Sequence, residues 1–338
     1  MKLFFTTPIF PYPLNRPLTP FNKENQIFQK KPSPCPPWYE LSVIKMNSTF
    51  LECPDKWFAE KGTISGPMLI IIVAFLAVML AFPIILLIQW NGTLVENRIG
   101  AIFATLFVIF ASSGVLWIGS FFFKKEMFRY THYPVRFNRK TRKVYRFRDD
   151  GTIMVADWDK LFFYKGAVHG ISGQISLAEV RCHHLAEDGE TVLDTFALPS
   201  HSVPNDPFLL AQWEFVRHYM EVGPDDLVKN VPIVQDIADR REGFWAGFQT
   251  LQASAAGSYA LLALLNVPFS LFYAVGRWVA MRTCKIPVWP AEIEAECQIE
   301  PNDPFIRDRD HLADPDLIEI PEGSHAKLVQ QRKARRLG

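Results

Sequence analysis

Two long apolar segments dominate the hydrophobic pattern of the chain. The first, Pro67–Trp90, contains no charged residue between Met68 and Ile88. The second, Ile99–Phe123, ends directly before Lys124-Lys125. A helix that rises about 1.5 Å per residue needs about 20 residues to cross about 30 Å of hydrocarbon. The pattern therefore predicts two transmembrane helices, at about residues 67–90 and 99–123, which form a helical hairpin.

Basic residues flank the outer ends of this hairpin. Lys56 and Lys61 precede the first segment, and Lys124, Lys125 and Arg129 follow the second. Loops rich in lysine and arginine stay in the cytoplasm. We therefore expect a multi-pass membrane protein whose N-terminus and main soluble domain are cytoplasmic.

Beyond Lys125 the apolar residues alternate with polar ones, as in half-buried strands. Tyr133–Asn138 and Val144–Arg148 predict a β-hairpin whose tip carries the basic residues Arg139, Lys140, Arg142 and Lys143. Further short strands are predicted at Ile153–Trp158, Leu161–Tyr164, Gln174–Leu185 and Thr191–Leu198. Strands of this number and length are typical of an antiparallel sandwich or a partly open barrel.

A helix is predicted to close this region. Asp206-Pro207 is a helix start signal, and Gly223-Pro224 is a stop signal. Between them the apolar residues Leu209, Trp213, Val216 and Met220 recur every three or four positions. The predicted fold class is thus an α+β membrane protein, with a transmembrane hairpin (46–125) followed by a cytoplasmic antiparallel β-rich domain (126–224). The order of its elements, with one C-terminal capping helix, is that of a pleckstrin-homology-like (PH-like) barrel.

The remaining segments are less regular. Residues 1–45 are rich in proline and lack a sustained period, so we expect them to be disordered, and Met46 is a second candidate start. Region 240–285 is expected to hold membrane-associated apolar helices, broken near Asn266-Val-Pro268. Its apolar part, Ser254–Gly276, also fits a third span or a helix packed on the domain. Residues 286–338 predict a polar tail, which is expected to be extended from Pro301 and to end in a short basic helix at Lys327–Arg336.

Charge is balanced overall but is segregated along the chain. The formal net charge is +1, which gives no reason to expect binding to nucleic acid. Basic residues dominate from Lys124 to Lys165, whereas acidic residues dominate from Ile286 to Ser324. The basic block is either a solvated surface or a face for anionic lipid headgroups. In the second case the hairpin tip (Arg139, Lys140, Arg142 and Lys143) is the candidate contact with lipid or with a partner.

None of the residues with catalytic potential forms a known motif. His183-His184 lies in a predicted strand, where neighbouring side chains point to opposite faces and cannot easily share a metal. Asp157 and Asp159 are more simply explained as ion-paired, and His169 matches no nucleophile or phosphate-loop spacing. The scattered cysteines and the acids at Asp303, Asp308 and Asp310 also lack metal-site spacing. We expect no catalytic residues, no metal and no cofactor.

Several short sequence segments together resemble a family of uncharacterised proteobacterial inner-membrane proteins, a domain of unknown function. They are Trp213–Pro224, Arg136-Phe-Asn-Arg-Lys140, the strand at Trp158, and Ile286-Pro-Val-Trp-Pro290, and the resemblance extends from about Lys56 to Asp308. Some members are encoded near type VI secretion effectors. The resemblance implies a bacterial inner-membrane location and an accessory or immunity role in competition between bacteria.

These observations favour a non-enzymatic inner-membrane protein whose cytoplasmic domain binds a protein partner. One alternative is a sensor of anionic lipids that uses the basic hairpin tip. The other is a membrane-anchored hydrolase that uses Asp157, Asp159 or His169. Membrane lipids and an unidentified protein are the expected partners, and the sequence leaves open whether the protein forms a homo-oligomer.

Overall fold

Two antiparallel sheets form the centre of the structure. The computed structural model describes residues 12–62, 64–89, 95–169, 175–202, 207–256 and 260–312. The strands in these ranges are β1 (Arg16–Pro17), β2 (Gln26–Ile27), β3 (Lys45–Met46), β4 (Phe50–Cys53), β5 (Val135–Asn138), β6 (Lys143–Phe147), β7 (Ile153–Asp157), β8 (Phe162–His169), β9 (Ile175–Leu185) and β10 (Thr191–Ser202). Sheet A has the order β1-β10-β9-β8-β2, and sheet B has the order β3-β4-β5-β6-β7.

The described part of the chain contains nine α-helices, three of which have 24 residues or more. They are α1 (Pro20–Glu24), α2 (Trp57–Glu60), α3 (Ser65–Gln89), α4 (Val95–Glu126), α5 (Ala211–Glu221), α6 (Asp225–Val228), α7 (Phe244–Ala256), α8 (Ala260–Thr283) and α9 (Ala291–Glu296). Short 3₁₀ turns lie at Trp158–Lys160 and Pro207–Leu210. The α+β fold class and the antiparallel pairing predicted from the sequence are confirmed.

The main core lies where the two sheets and α5 meet. The ring of Trp213 on α5 stacks on Trp158 at 5.8 Å between centroids and contacts Phe163 at 4.5 Å. On the same helix the Tyr219 hydroxyl donates a hydrogen bond of 2.7 Å to the carbonyl of Asn47. The predicted apolar face of this helix is buried, including Val216. The helix therefore joins the two sheets.

The helices α3 and α4 are inserted between two neighbouring strands of sheet B. Strand β4 precedes α3 and β5 follows α4, yet β4 and β5 pair directly, from Phe50 with Asn138 to Cys53 with Val135. The sheet therefore begins before the hairpin, and not at residue 126 as predicted. Both ends of the hairpin are held at the same sheet.

The two inserted helices match the predicted spans. The segments Ser65–Gln89 and Arg98–Lys124 are long and apolar enough to cross a membrane by length and composition. Their apolar side chains face outward, as Leu87, Phe107 and Phe110 show. Residues 90–94, which connect the two helices, lie outside the described residues. An outward apolar surface of this extent is unfavourable in water, and a hydrocarbon environment would remove that cost.

The proline-rich N-terminal segment is folded from residue 12 onward, so the expectation of disorder is corrected there. Strand β1 pairs with β10 and β2 pairs with β8, each over two residues. Trp38 and Tyr39 belong to the main core. Because two-residue strands obtain their hydrogen bonds from a distant sheet edge, they leave no local period in the sequence.

The prediction of a polar tail from residue 286 is also corrected, for residues 286–312. Trp289, Ile293 and Cys297 pack with Phe50, Tyr145 and Phe147 of sheet B. Arg307 exchanges two backbone hydrogen bonds with Met46, at 2.7 and 2.8 Å. These three apolar residues, Trp289, Ile293 and Cys297, recur at every fourth position, which is the spacing of one helix face. The acidic composition of the segment made this spacing easy to overlook. Residues 313–338 lie outside the described part of the chain.

The apolar region 240–285 forms two helices, but they do not separate where the sequence predicted. Helix α8 continues through Asn266 and Pro268, and the boundary between α7 and α8 falls at residues 257–259, which are not described. Helix α8 packs on α7 and on α3. Among the described helices, only α3 and α4 have the length and hydropathy of a membrane span.

A buried junction connects these helices to one another, at the ends that lie next to the sheets. The Glu126 carboxylate accepts hydrogen bonds from the N–H groups of Gly62 (2.5 Å) and Ser65 (2.6 Å) at the start of α3. A carboxylate is favourable there because the helix N-terminus carries unpaired donors and the positive end of the helix dipole. On α8, Arg277 forms an ion pair of 2.5 Å with Glu242 and is buried with it.

The closest approach at the junction is between two glycines. A Cβ atom at Gly276 would overlap the backbone of Gly66, and the Ser65 hydroxyl donates to the Gly276 carbonyl at 3.3 Å. Small residues allow two helices to approach until their backbones touch. The contact between α3 and α8 therefore depends on the absence of a side chain at Gly276, whereas a Cβ at Gly66 would press on Tyr273 at 3.2 Å.

We predict that Gly276→Ala lowers the free energy of unfolding by about 1–3 kcal/mol, since the added methyl group must separate α3 from α8. The matched control is Gly114→Ala on α4, where an added Cβ meets no atom within 4 Å. The control should be neutral or slightly stabilising, because alanine favours helix over glycine by about 1 kcal/mol. Thermal unfolding in detergent measures both. Equal melting temperatures for the two variants would contradict the glycine contact.

Candidate functional site

The basic hairpin tip forms between β5 and β6, as the sequence predicted. The side-chain oxygen of Asn138 accepts hydrogen bonds from the N–H groups of Lys140 and Thr141, both at 3.0 Å. Arg142 completes the turn with a positive φ of 54°. Asparagine closes such turns because its side chain imitates a backbone carbonyl. The four basic residues are therefore brought together at one end of strands β5 and β6.

Each basic side chain of the tip is engaged within the protein. Arg139 donates to the carbonyl of Ser48 at 3.1 and 3.3 Å. Lys140 is paired with Glu300, and Lys143 is paired with Glu296 at 2.7 Å. The two glutamates belong to the segment that was predicted to be a polar tail. The acidic segment thus compensates the charge of the basic tip, which leaves less of it for external anions.

Arg142 makes the most extensive contacts of the four. It donates two hydrogen bonds of 2.6 Å to Asp159 and one of 2.7 Å to Glu221 at the end of α5. Glu221 also accepts a 2.6 Å hydrogen bond from the indole of Trp158. Hydrogen bonds from Arg142 lower the pKa of Asp159 to about 2. An aspartate that remains ionised and bound to arginine is a weak general base.

Behind the tip, Arg136 links the acidic helix α9 to the sheet. Its guanidinium lies between the rings of Phe50 and Trp289, at 4.3 and 4.8 Å from their centroids. It donates to Glu52 at 2.9 Å and to Glu294 on α9 at 3.0 Å. A guanidinium can stack on aromatic faces and pair with carboxylates at the same time. The basic face of sheet B is therefore covered by the chain's own acidic segment.

The histidines of the sequence analysis have structural surroundings. His183 is buried between Phe162 and Tyr164, and its Nδ1 lies 2.7 Å from the Thr195 hydroxyl. Burial, aided by nearby arginines, lowers the pKa of His183 to about 3. His184, the next residue on β9, is half-buried. His169 ends β8, and its side chain lies outside the described atoms.

The remaining candidate acids also have internal partners. Asp157 is paired with Lys160 at 3.1 Å. Asp303 accepts hydrogen bonds from the backbone and the hydroxyl of Ser48, at 2.7 and 2.6 Å. Within the described ranges, no three histidine, cysteine or acidic side chains are grouped in a way that could hold a metal ion.

A surface groove was not predicted from the sequence. It has a volume of about 280 Å³ and lies between the N-terminal segment and the start of α5. Its lining includes Glu24, Ile27, Phe28, Lys31, Pro32, Pro34, Lys165, Leu210 and Trp213. Phe28 is 53% exposed there. No pattern in the sequence indicated the groove, because one of its walls is the N-terminal segment that was expected to be disordered.

A buried carboxyl group lies near the base of the helical hairpin. Asp55 is only 4% exposed. Burial raises the pKa of Asp55 to about 7, although Arg146, Lys61 and two backbone N–H groups favour its charged form. Nearby, burial lowers the pKa of His132 to about 3, so this ring is neutral at pH 7. Desolvation is therefore the main cause of the pKa shifts of both Asp55 and His132.

These observations define a class of protein: an α+β unit of two antiparallel sheets with an apolar helical hairpin inserted into one of them. A family described as a family of unknown function (DUF6708) matches residues 112–301, more than half of the chain. The chain belongs to this family. The match begins within α4 and includes the strands β5–β10 and the helices α5–α9, whereas α3 and the first half of α4 lie before it. No curated protein and no solved structure matches the chain.

The first prediction from the site concerns the hairpin tip. Arg142→Ala should lower the free energy of unfolding by about 1–3 kcal/mol, because it removes charged hydrogen bonds to two carboxylates and a carbonyl. The matched control, Lys143→Ala, loses one surface ion pair and should cost about 0–1 kcal/mol. Denaturant unfolding of both variants measures the difference. A loss for Lys143→Ala as large as that for Arg142→Ala would refute the assigned role of Arg142.

The second prediction concerns pH. The pKa of Asp55 is higher in the folded protein than in the unfolded chain, where it is about 3.9. Its contribution to stability is therefore complete below about pH 4 and is lost as the pH rises through 7. Asp55→Asn stays neutral, so wild type should lose stability relative to this variant between pH 4 and pH 8.

Unfolding of both proteins at pH 4, 6 and 8 measures this difference. Asp157→Asn, at a surface position, controls for the loss of one carboxylate. A constant difference between wild type and Asp55→Asn across the pH range would show that Asp55 does not take up a proton on folding.

Proposed function

We propose that this chain is a non-enzymatic bacterial inner-membrane protein whose cytoplasmic unit binds a protein partner. In this proposal α3 and α4 cross the bilayer, and the sheets with their capping helix form a PH-like binding module. The observation that carries the proposal is the groove between residues 24–34 and α5, on a unit whose paired strands β4 and β5 flank the apolar hairpin. The groove belongs to a unit held at the membrane surface.

The membrane part of the proposal rests on length, hydropathy and exposure. Both long helices have outward apolar side chains over most of their length. Because β4 pairs with β5, the two outer ends of the hairpin lie at the same side. Lys124, near the end of α4, is exposed at that side. The positive-inside rule then favours a cytoplasmic location for the sheets.

The partner is identified by the chemistry of the groove. Ile27, Phe28 and Pro32 offer apolar surface. The exposed charged residues of the lining are Lys31, Lys165 and Glu24, so positive charge is in excess there. Such a groove suits an extended segment with apolar side chains and an acidic group. The sequence resemblance suggests a type VI secretion effector as the source of this segment, with the present chain as its accessory or immunity protein.

The two alternative functions have less support. A lipid sensor would need free positive charge at the hairpin tip, but Arg139, Lys140, Arg142 and Lys143 contact internal acceptors. A hydrolase would need an available base, but Asp159 is bound by Arg142 and Asp157 by Lys160. The side chain of His169, the third candidate base, lies outside the described atoms. Partner binding requires neither.

We predict that a photo-crosslinking amino acid at Phe28 captures a specific protein in membranes of cells that make this protein. The control is the same amino acid at Leu193, which is also exposed but lies on β10 away from the groove. Lys31→Glu should reduce the adduct at position 28 several-fold by opposing an acidic group. Crosslinking of equal strength at both positions, insensitive to Lys31→Glu, would argue against the groove as the binding surface.

A further inference from the structure

The helix pair α7–α8 starts and ends at one place, the junction with the sheets. Before α7, the Arg241 guanidinium donates to the carbonyl of Cys284, which follows α8, at 3.1 and 3.2 Å. Glu242 is paired with Arg277 near the end of α8. After α8, Lys285 exchanges backbone hydrogen bonds of 2.8 Å with the chain that follows α4. Entry to and exit from this helix pair are therefore on the same side.

From the junction, α8 runs along α3 in the opposite direction. Gly62 approaches Arg277, and Gly66 approaches Gly276 and Tyr273, so the residue numbers rise on one helix as they fall on the other. Helix α3 leaves the junction as the start of the apolar hairpin. Going from Gly276 toward its N-terminus, α8 therefore leaves the sheets on the same side as α3.

The lengths of the helices decide how far the pair can extend. Helix α7 has 13 residues, which corresponds to about 20 Å and is less than the roughly 30 Å of hydrocarbon. Because both ends of the pair are at one side and α7 is too short to cross, the pair cannot provide a complete span. It must reverse direction before it reaches the opposite surface.

The side chains of α8 divide into two faces. Ser270, Ala274, Arg277 and Met281, spaced by four, three and four residues, are buried. Phe269 is 65% exposed and Val275 is also exposed, so an apolar surface continues outward from the one on α3. Near the junction, Arg282 lies over the ring of Trp278 at 5.5 Å, and Trp245 is exposed at the start of α7. Tryptophan and arginine are side chains that favour the headgroup region.

We propose that α7–α8 is a re-entrant hairpin, which enters the bilayer beside α3 from the side of the sheets and returns to that side. Lipid acyl chains contact Phe269 and Val275, and Trp245 and Trp278 lie at headgroup level. Continuity with the apolar surface of α3 identifies the occupant as lipid. The inference rests on the proposal that α3 and α4 cross a bilayer. It also explains how the acidic segment after α8 returns to sheet B.

The test is the depth of spin labels in the full-length protein, reconstituted in bilayers. Cysteine replaces Phe269, Trp278, Leu80 or Val288 in a Cys35→Ser background, because Cys35 is only half-buried whereas the other four cysteines are buried. Val288, 77% exposed after α8, is the matched aqueous control for Phe269, and Leu80 on α3 is the hydrocarbon reference. Collision rates with oxygen and with a water-soluble nickel chelate measure the depth of each label.

The proposal predicts an oxygen-to-nickel ratio at position 269 that is several-fold above that at 288 and above that at 278, approaching that at 80. Equal ratios at 269 and 278 would mean that the pair lies flat on the surface, which overturns the re-entrant hairpin alone. Protection of 269 from both reagents, with spin–spin broadening, would replace lipid by a second copy of the chain. If position 80 is also accessible to nickel, the membrane span itself fails.

Discussion

The pairing of β4 with β5 is the constraint on which the arrangement of the whole molecule depends. These strands are separated in sequence by α3 and α4, yet they form continuous backbone hydrogen bonds in sheet B. The helical hairpin must therefore leave and return at the same end of the β4–β5 strand pair. Glu126 strengthens this closure, since the last residue of α4 caps the first turn of α3. The helices of the second pair, α7–α8, then pack against a base that is already fixed.

The basic and acidic blocks, which are separate in the sequence, lie next to each other in the fold. The basic residues of β5, β6 and their turn meet the acidic residues of α9 and the segment that follows it. Exposed pairs of this kind contribute little individually, whereas loss of Arg136 would leave the buried Glu52 carboxylate without this cation. The basic tip is therefore better described as an internal contact than as a lipid site, and the groove near Phe28 is the stronger candidate surface.

Local patterns in the sequence predicted the elements whose hydrogen bonds and apolar faces are local. Helices α3 and α4, the β5–β6 turn and the buried face of α5 follow from hydropathy, turn residues and helical spacing. Strands β1 and β2 could not be predicted, because each has two residues and pairs with distant strands. The acidic segment was misjudged because Trp289, Ile293 and Cys297 are buried by contacts with sheet B. The groove was missed because one of its walls is the N-terminal segment, which was expected to be disordered.

The most direct measurement is the accessibility of single cysteines to a membrane-impermeant reagent, in spheroplasts and in inverted vesicles. Cysteines at Thr93, Asp150 and Asp310 probe the connector, a turn of sheet B and the segment after α8. Labelling of position 93 only from outside, with 150 and 310 only from inside, agrees with a spanning hairpin whose sheets and acidic segment are cytoplasmic. Labelling of 310 from outside would contradict it, because the segment that contacts sheet B would then lie across the membrane from position 150.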